Sequence, residues 1–250
     1  MIRLDQLLVE RGLARSRAHA QKLIKAGCVV ASEDAKTLNK PSLKVSEQTD
    51  LHVSAIDEDR YVSRGGLKLE GALSHTGFKL GDKIALDVGQ STGGFTDCLL
   101  QAGVKQVIGV DVGRDQLAEA IRSDARVTFY EGINARSLPA SLSTDHTRAG
   151  FDIAVMDVSF ISQTLILPAL APLLAEGGDL LSLVKPQFEV GRDGIGKGGI
   201  VRDPALYEDV RRTIESCCQH NGLQVHDYFA SSIAGGDGNQ EFFVWARKVQ

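Results

Sequence analysis

The sequence predicts an α/β protein: a parallel sheet with helices on both faces, preceded by a small α+β unit. Three observations predict it. Beyond residue 63, short apolar runs alternate with helical patterns. The chemically informative residues fall at the ends of those runs, where open α/β sheets bind ligands. Residues 1–60 carry a different pattern and a different charge. Residues 1–25 hold Arg3, Arg11, Arg15, Arg17, Lys22 and Lys25 against Asp5 and Glu10, a balance of +4 in a 250-residue chain of net charge −4.

Each element has its own signal. Leu4, Leu7 and Leu8 recur at helical spacing, and Gly12 ends that turn. Ser16 caps a second helix that stops at Gly27. Strands follow at 28–30 and 51–53, and the polar 56–60 reads as a linker. The larger unit opens with an apolar run at 83–88. A helix at 95–101, a strand at 106–111, a helix at 114–123 and a strand at 126–131 come next. A fourth strand covers 152–157. A core helix over 163–175, closed by Gly177 and Gly178, leads to a fifth strand at 179–185. A long helix at 204–220 and strands at 224–230 and 241–247 complete the series.

Composition excludes several classes. The chain is 43% hydrophobic and 24% charged, ordinary for a globular protein. Cys28, Cys98, Cys217 and Cys218 have neither the spacing of a disulfide framework nor that of a zinc site, so no metal is expected. A reducing, cytoplasmic setting fits them. The start is charged throughout, unlike a signal peptide. The longest apolar stretch, 165–175, is far below the ~20 residues of a membrane span.

The turn from Asp87 through Gly89, Ser91, Thr92, Gly93 and Gly94 to Phe95 joins the first strand of the larger unit to its helix. Its glycines permit a tight turn and close approach of a ligand. The dinucleotide fingerprint is not met, and the phosphate loop is absent because Phe95 and Thr96 stand where Lys and Ser/Thr are required. A nucleoside without phosphate fits better, and S-adenosylmethionine is one. Asp111, with Val112 beside it, ends the next strand 22 residues beyond Gly89, where a carboxylate accepts ribose hydroxyls. A helix N-cap is the plainer reading of Asp111 alone. Asn134 is a candidate for the adenine edge or a turn former.

Four ionisable residues stand at strand ends or beside the sheet: Lys68, Asp157, Lys185 and Glu241. Taken singly, each reads as a solvated charge. Their surroundings, SerArgGlyGlyLeuLys, AspValGlyGlnSerThrGlyGlyPheThrAsp, MetAspValSerPheIle, ValLysProGlnPheGlu and GlyAsnGlnGluPhe, resemble the hemolysin A (TlyA) family over the whole chain. That family is described both as hemolysins and as ribosomal RNA 2′-O-methyltransferases. The resemblance implies an S4-like α+β RNA-binding domain at 1–60. It implies a Rossmann-like, FtsJ-type S-adenosylmethionine-dependent methyltransferase domain at 61–250. Lys68, Asp157, Lys185 and Glu241 would then be a catalytic tetrad, with Asp157 also beside the cofactor. The expected substrate is cytidine in 16S rRNA, 23S rRNA or both, as naked RNA, a ribosomal subunit or the whole ribosome. Gln90 departs from the family pattern, where a small residue is expected, and would alter the cofactor loop.

The tetrad suits the chemistry. A ribose hydroxyl must be aligned with a methyl sulfonium and relieved of its proton. Lys185 is the candidate base or alkoxide stabiliser. Burial and Lys68 favour its neutral form, while Asp157 and Glu241 favour the ammonium. For RNA, the candidates are Arg3, Arg15, Arg17, Lys22 and Lys25 of the first unit, Arg64, and Arg192 and Lys197 of a glycine-rich flap at 188–200. Three rivals remain: a membrane-active hemolysin, an RNA-binding protein without transferase activity, and an NAD-dependent oxidoreductase. The first lacks a membrane segment in the sequence and the third lacks its fingerprint.

Overall fold

The computed structural model describes residues 1–236 and 238–249, and for Asp57 and Glu58 the backbone alone. The chain divides into two compact units, Met1–Arg60 and Tyr61–Gln250.

The first unit contains β1 (Ile2–Arg3), α1 (Leu4–Glu10), α2 (Arg17–Lys25), β2 (Val29–Ala31), β3 (Lys36–Thr37), β4 (Lys44–Val45) and β5 (Leu51–Val53). Leu4, Leu7 and Leu8 of α1 pack on Ala20, Leu23 and Ile24 of α2, because residues three and four apart share one helix face. Ser16 Oγ accepts from His19 N at 3.2 Å and caps α2, and Gly27, at φ +74°, stops it. A 3-10 turn occupies Asp57–Arg60, where the sequence suggested a linker.

One buried carboxylate organises this unit's basic face. Asp5 has no exposed surface, and it accepts from Arg3 at 2.9 Å, Gln21 at 3.0 Å and Arg17 at 3.3 Å. The Arg3 guanidinium holds its carboxyl well below the usual carboxylate range, against the opposing effect of burial. A depressed native pKa stabilises the fold above the unfolded value of about 4 and is lost as pH falls below it. Asp5→Asn is therefore expected to lower stability at neutral pH and to flatten its decline between about pH 4 and pH 2. Urea titrations across that range check both.

The second unit contains α3 (Gly65–Thr76), β6 (Ile84–Val88), α4 (Gly94–Gln101), β7 (Gln106–Asp111), α5 (Glu119–Arg122), β8 (Val127–Glu131), α6 (Ser141–Thr144), β9 (Phe151–Met156), α7 (Leu167–Leu170), β10 (Leu174–Val184), α8 (Leu206–His220), β11 (Leu223–Ala230) and β12 (Phe242–Lys248). Seven strands form one sheet in the order β11-β12-β10-β9-β6-β7-β8. Alternate residues serve opposite faces. Leu86, Ile108, Ala154 and Leu180 join α7 and α8 in one core. Ala85, Val107, Ile153 and Leu181 join α3 and α4 in the other.

Several sequence expectations need correction. The sheet is mixed: β12 runs antiparallel to both β10 and β11. Lys68 lies within α3, for which no separate helix was expected. The helix expected at 114–123 shrinks to α5, since Asp115 at φ +56° interrupts it. The core helix expected at 163–175 breaks into a 3-10 turn (Gln163–Leu165), the short α7 and a second 3-10 turn (Ala171–Leu173). Pro168 and Pro172 cannot donate in the ladder, so each sits at the start of its own turn. Gly177 and Gly178 lie inside β10, within its register shift between Leu174 and Asp179, rather than closing a helix.

Candidate active site

The site forms where β6, β7, β9 and β10 end, and the reversal of β12 brings the chain just before it to the same rim. Asp157 follows Met156, the last residue of β9. Lys185 follows Val184, the last residue of β10, and Pro186 holds it extended at φ −110°, ψ 97°. Val184 pairs with Phe242, so Glu241 immediately precedes the partnered end of β12. A parallel β12 would have carried Glu241 to the opposite rim.

The four candidates meet as two ion pairs. Lys68 Nζ lies 2.5 Å from Glu241 Oε2, with side chains 11% and 3% exposed. Lys185 Nζ lies 2.6 Å from Asp157 Oδ1 and donates to Ser159 Oγ at 2.9 Å. Both lysines line a cavity of about 360 Å³ together with Ser63, Arg64, Thr92, Gly94 and Phe95. Glu241 stays behind Lys68, only 2% exposed.

A second cavity, about 530 Å³, adjoins the first. Gly89, Ser91, Asp157 and Ser159 line both. Its walls are apolar (Val110, Val112, Ile133, Val158, Ile161, Ile166), with Asp111 and Asn134 among its polar groups. Asp111 Oδ2 accepts from Ser91 N at 2.8 Å, and Oδ1 accepts from Gly113 N at 2.6 Å. Each oxygen keeps a lone pair for a further donor. Flat apolar walls around one fixed carboxylate suit a nucleoside, the ring on the walls and the ribose hydroxyls on Asp111. S-adenosylmethionine fits this donor set. Asn134 caps the 3-10 turn Ala135–Ser137 through its side chain, which accepts from Arg136 N at 3.0 Å. That is the turn-forming role; its residue nevertheless lines the cavity.

The loop glycines serve chain packing. A Cβ on Gly89 would lie 2.3 Å from the Asp157 carbonyl oxygen, one on Gly93 2.9 Å from Leu117, and one on Gly94 2.1 Å from Ser63 Oγ. These absences let the loop nest against the end of β9, the approach to α5 and the start of α3, and Gly89 and Gly94 also line the cavities. Asp87 lies wholly buried beneath the loop rather than on a cavity wall. Its Oδ2 accepts from Thr96 Oγ1 at 2.7 Å. Burial pushes its carboxyl up to about 7, and the nearby Asp157 and Asp111 add to the rise against the Thr96 hydrogen bond.

Gln90 belongs to this buried layer. Its Nε2 donates to Thr96 Oγ1 at 2.9 Å, and its carboxamide fills the hollow beside Gly109 on β7. A Cβ on Gly109 would come within 2.1 Å of it. Gly109→Ala is expected to cost about 1–3 kcal/mol by overpacking, and Gln90→Ala in the same chain should recover most of the loss. Thermal melts of the two single variants and the double variant measure that coupling.

The expected RNA contacts fall in both units. Arg3 and Arg17 rest on Asp5, and Arg15 on Asp59 at 2.5 Å, yet their side chains stay 39%, 55% and 58% exposed. Lys22 and Lys25 are exposed on α2. Arg64 is exposed at the start of α3. The glycine-rich segment is a pinned hairpin: Ile195 bridges Val201, and the buried Asn239 side chain binds Val201 N and Gly199 O. Lys197 is exposed near its tip. Arg192 lines an open groove with Arg136, Phe160 and Phe188. Phe160 is 90% exposed at φ +65°, with its ring 5.0 Å from that of Phe188. Sequence reasoning had not singled out Ser159, Phe160 or Arg136, although the first two stand inside the MetAspValSerPheIle motif.

Comparison with known proteins shows the family. Residues 61–248 match the model of the FtsJ-like methyltransferases, and residues 2–30 that of the S4 domain. The 16S/23S rRNA (cytidine-2′-O)-methyltransferase TlyA of Mycobacterium tuberculosis is 42% identical, over 98% of this chain and 89% of that protein. Hemolysin A of Brachyspira hyodysenteriae is 38% identical, over 97% and 98%. A solved structure from Streptococcus thermophilus superposes with a TM-score of 0.75 at 42% identity, covering 100% of this chain and 89% of that one.

Proposed function

The chain belongs to the FtsJ-like methyltransferase family, among relatives that include TlyA and hemolysin A, and from that premise we propose that it methylates a ribose 2′-hydroxyl in ribosomal RNA, on cytidine. The observation that carries the reading is the junction of the two cavities at Asp157 and Ser159, with Lys68 and Lys185 facing one side and Asp111 the other. Bound S-adenosylmethionine supplies an electrophilic methyl group on a sulfonium. Asp111 would hold the ribose of that nucleoside, and Val112, Ile133 and Val158 would pack on its base.

Lys185 acts on the substrate hydroxyl. Lys185 Nζ and Asp157 Oδ1 stand 2.6 Å apart as an ion pair. Lys185 therefore orients the hydroxyl and stabilises the developing alkoxide by charge, and the proton leaves to water. Asp157 fixes Lys185, and Glu241 fixes Lys68.

Met1–Arg60 is the S4-like RNA-binding domain in this reading, and Tyr61 begins the methyltransferase domain. The protein works in the cytoplasm on ribosomal RNA or a ribosomal subunit. Among the described residues no helix is long and apolar enough to cross a membrane. The exposed Phe160, packed on the half-buried Phe188 beside Arg136 and Arg192, has the chemistry that unstacked bases and phosphates meet on RNA-binding surfaces. The double change Arg192→Ala, Lys197→Ala should weaken rRNA binding and lower its log–log salt slope by roughly one per phosphate contact removed. Filter binding at several salt concentrations reads the slope, and an unchanged slope would remove the flap from the RNA surface.

The test of function is transfer of labelled methyl from S-adenosylmethionine to isolated ribosomal subunits and to naked rRNA. Alkali-resistant label in cytidine is the expected result. No label in either, with S-adenosylhomocysteine binding intact, would sink the reading.

A further inference from the structure

The family resemblance assigns roles to four charged residues and none to the hydroxyl that touches one of them. Ser159 lies two residues beyond Asp157. Its Oγ accepts a hydrogen bond from Lys185 Nζ at 2.9 Å, while Asp157 Oδ1 stands 2.6 Å from the same nitrogen as its ion-pair partner. An ammonium carries three N–H donors in a tetrahedral arrangement. The hydrogen bond to Ser159 Oγ fixes one of them, and the ion pair with Asp157 restrains the head from a second side. With the ion pair alone, the head would rotate about the Nζ–Oδ1 line.

Ser159 is also one of the four residues common to both cavities. It is exposed, so its hydroxyl plays no part in holding a core together. Lys185 is only 12% exposed at its side chain, so its remaining donor faces the cavity that it lines with Lys68. Among the described residues Lys68 has no corresponding hydroxyl contact: it pairs with the buried Glu241, set back from the cavity. The two lysines are thus unequal, one clamped at two points at the cavity junction and the other anchored from behind.

We propose that Ser159 is a positioning residue for the methyl transfer, the hydrogen-bond acceptor that aims the Lys185 ammonium at the substrate hydroxyl. The assignment rests on the methyl-transfer reading above. It implies a serine-or-threonine requirement at this position that charge alone would not produce, because the contribution is directional.

The test compares wild type, Ser159→Ala, Ser159→Thr and Lys185→Ala on isolated ribosomal subunits, with kcat and KM measured separately and S-adenosylhomocysteine affinity measured alongside. Ser159→Ala should lower kcat about 10- to 100-fold, the range for losing a hydrogen bond to a charged group. Its KM and S-adenosylhomocysteine affinity should stay within about twofold. Ser159→Thr keeps the oxygen and should recover kcat. A Ser159→Ala kcat within twofold of wild type, beside an inactive Lys185→Ala, would overturn the assignment and leave the methyl-transfer reading standing. Equal losses in the Ala and Thr variants would overturn it as well, since the position would then be sensitive to shape. No transfer by wild type, with S-adenosylhomocysteine bound, would overturn the underlying reading and this assignment with it.

Discussion

Lys185→Ala is expected to lower kcat for methyl transfer by about 10²- to 10⁴-fold, the range seen when a charge-stabilising or proton-handling group is removed. Cofactor affinity should barely change, because Lys185 lines the smaller cavity and is absent from the wall of the nucleoside cavity. Lys185→Arg should recover little. A planar guanidinium cannot meet Asp157 Oδ1 and Ser159 Oγ with the geometry of one tetrahedral nitrogen. Single-turnover transfer from labelled S-adenosylmethionine, paired with calorimetric titration of S-adenosylhomocysteine, separates the two effects. A loss carried by cofactor affinity would instead place Lys185 on the cofactor side of the junction.

The second large effect falls on stability and activity together. Glu241→Ala leaves the Lys68 ammonium, 11% exposed, without its carboxylate. Removing one member of a buried pair costs about 3–5 kcal/mol, because the remaining charge stays desolvated. The midpoint of urea unfolding should fall accordingly with an unchanged slope. Replacing both partners, Lys68→Met with Glu241→Leu, should restore most of that stability by matching volume with apolar groups. Activity should stay lost in the double variant. If activity returned with stability, the pair would be structural and the catalytic proposal would rest on Lys185 and Asp157 alone.

These expectations depend differently on sequence and on tertiary structure. Apolar runs of strand length located β6, β7 and β9 to within a residue or two, because a doubly buried strand must be continuously apolar. Ser16 and Gly27 marked α2 for equally local reasons. The helix expected at 163–175 failed because its apolar periodicity reports burial, while Pro168 and Pro172 decide the backbone. The loop glycines were legible as necessary for a tight turn and a ligand, and their packing partners were not legible. Their neighbours are Asp157, Leu117 and Ser63, residues distant in sequence. The same holds for Gln90, whose fit depends on Gly109 across the sheet.

What the sequence determined by itself was the inventory: an α/β unit behind a basic α+β unit, a glycine-rich turn without a phosphate-binding lysine, and two lysines and two carboxylates in ordered motifs. These follow from local propensity, burial period and residue chemistry. What only the tertiary structure decided was the pairing of those charges. Lys68 meets Glu241 across 173 positions, and Lys185 meets Asp157 and Ser159 across 28 and 26. The strand order β12-β10-β9 and the antiparallel direction of β12 bring them to one rim. Strand order and direction are set by how whole faces pack over the two cores, a property of the assembled sheet that no single segment carries.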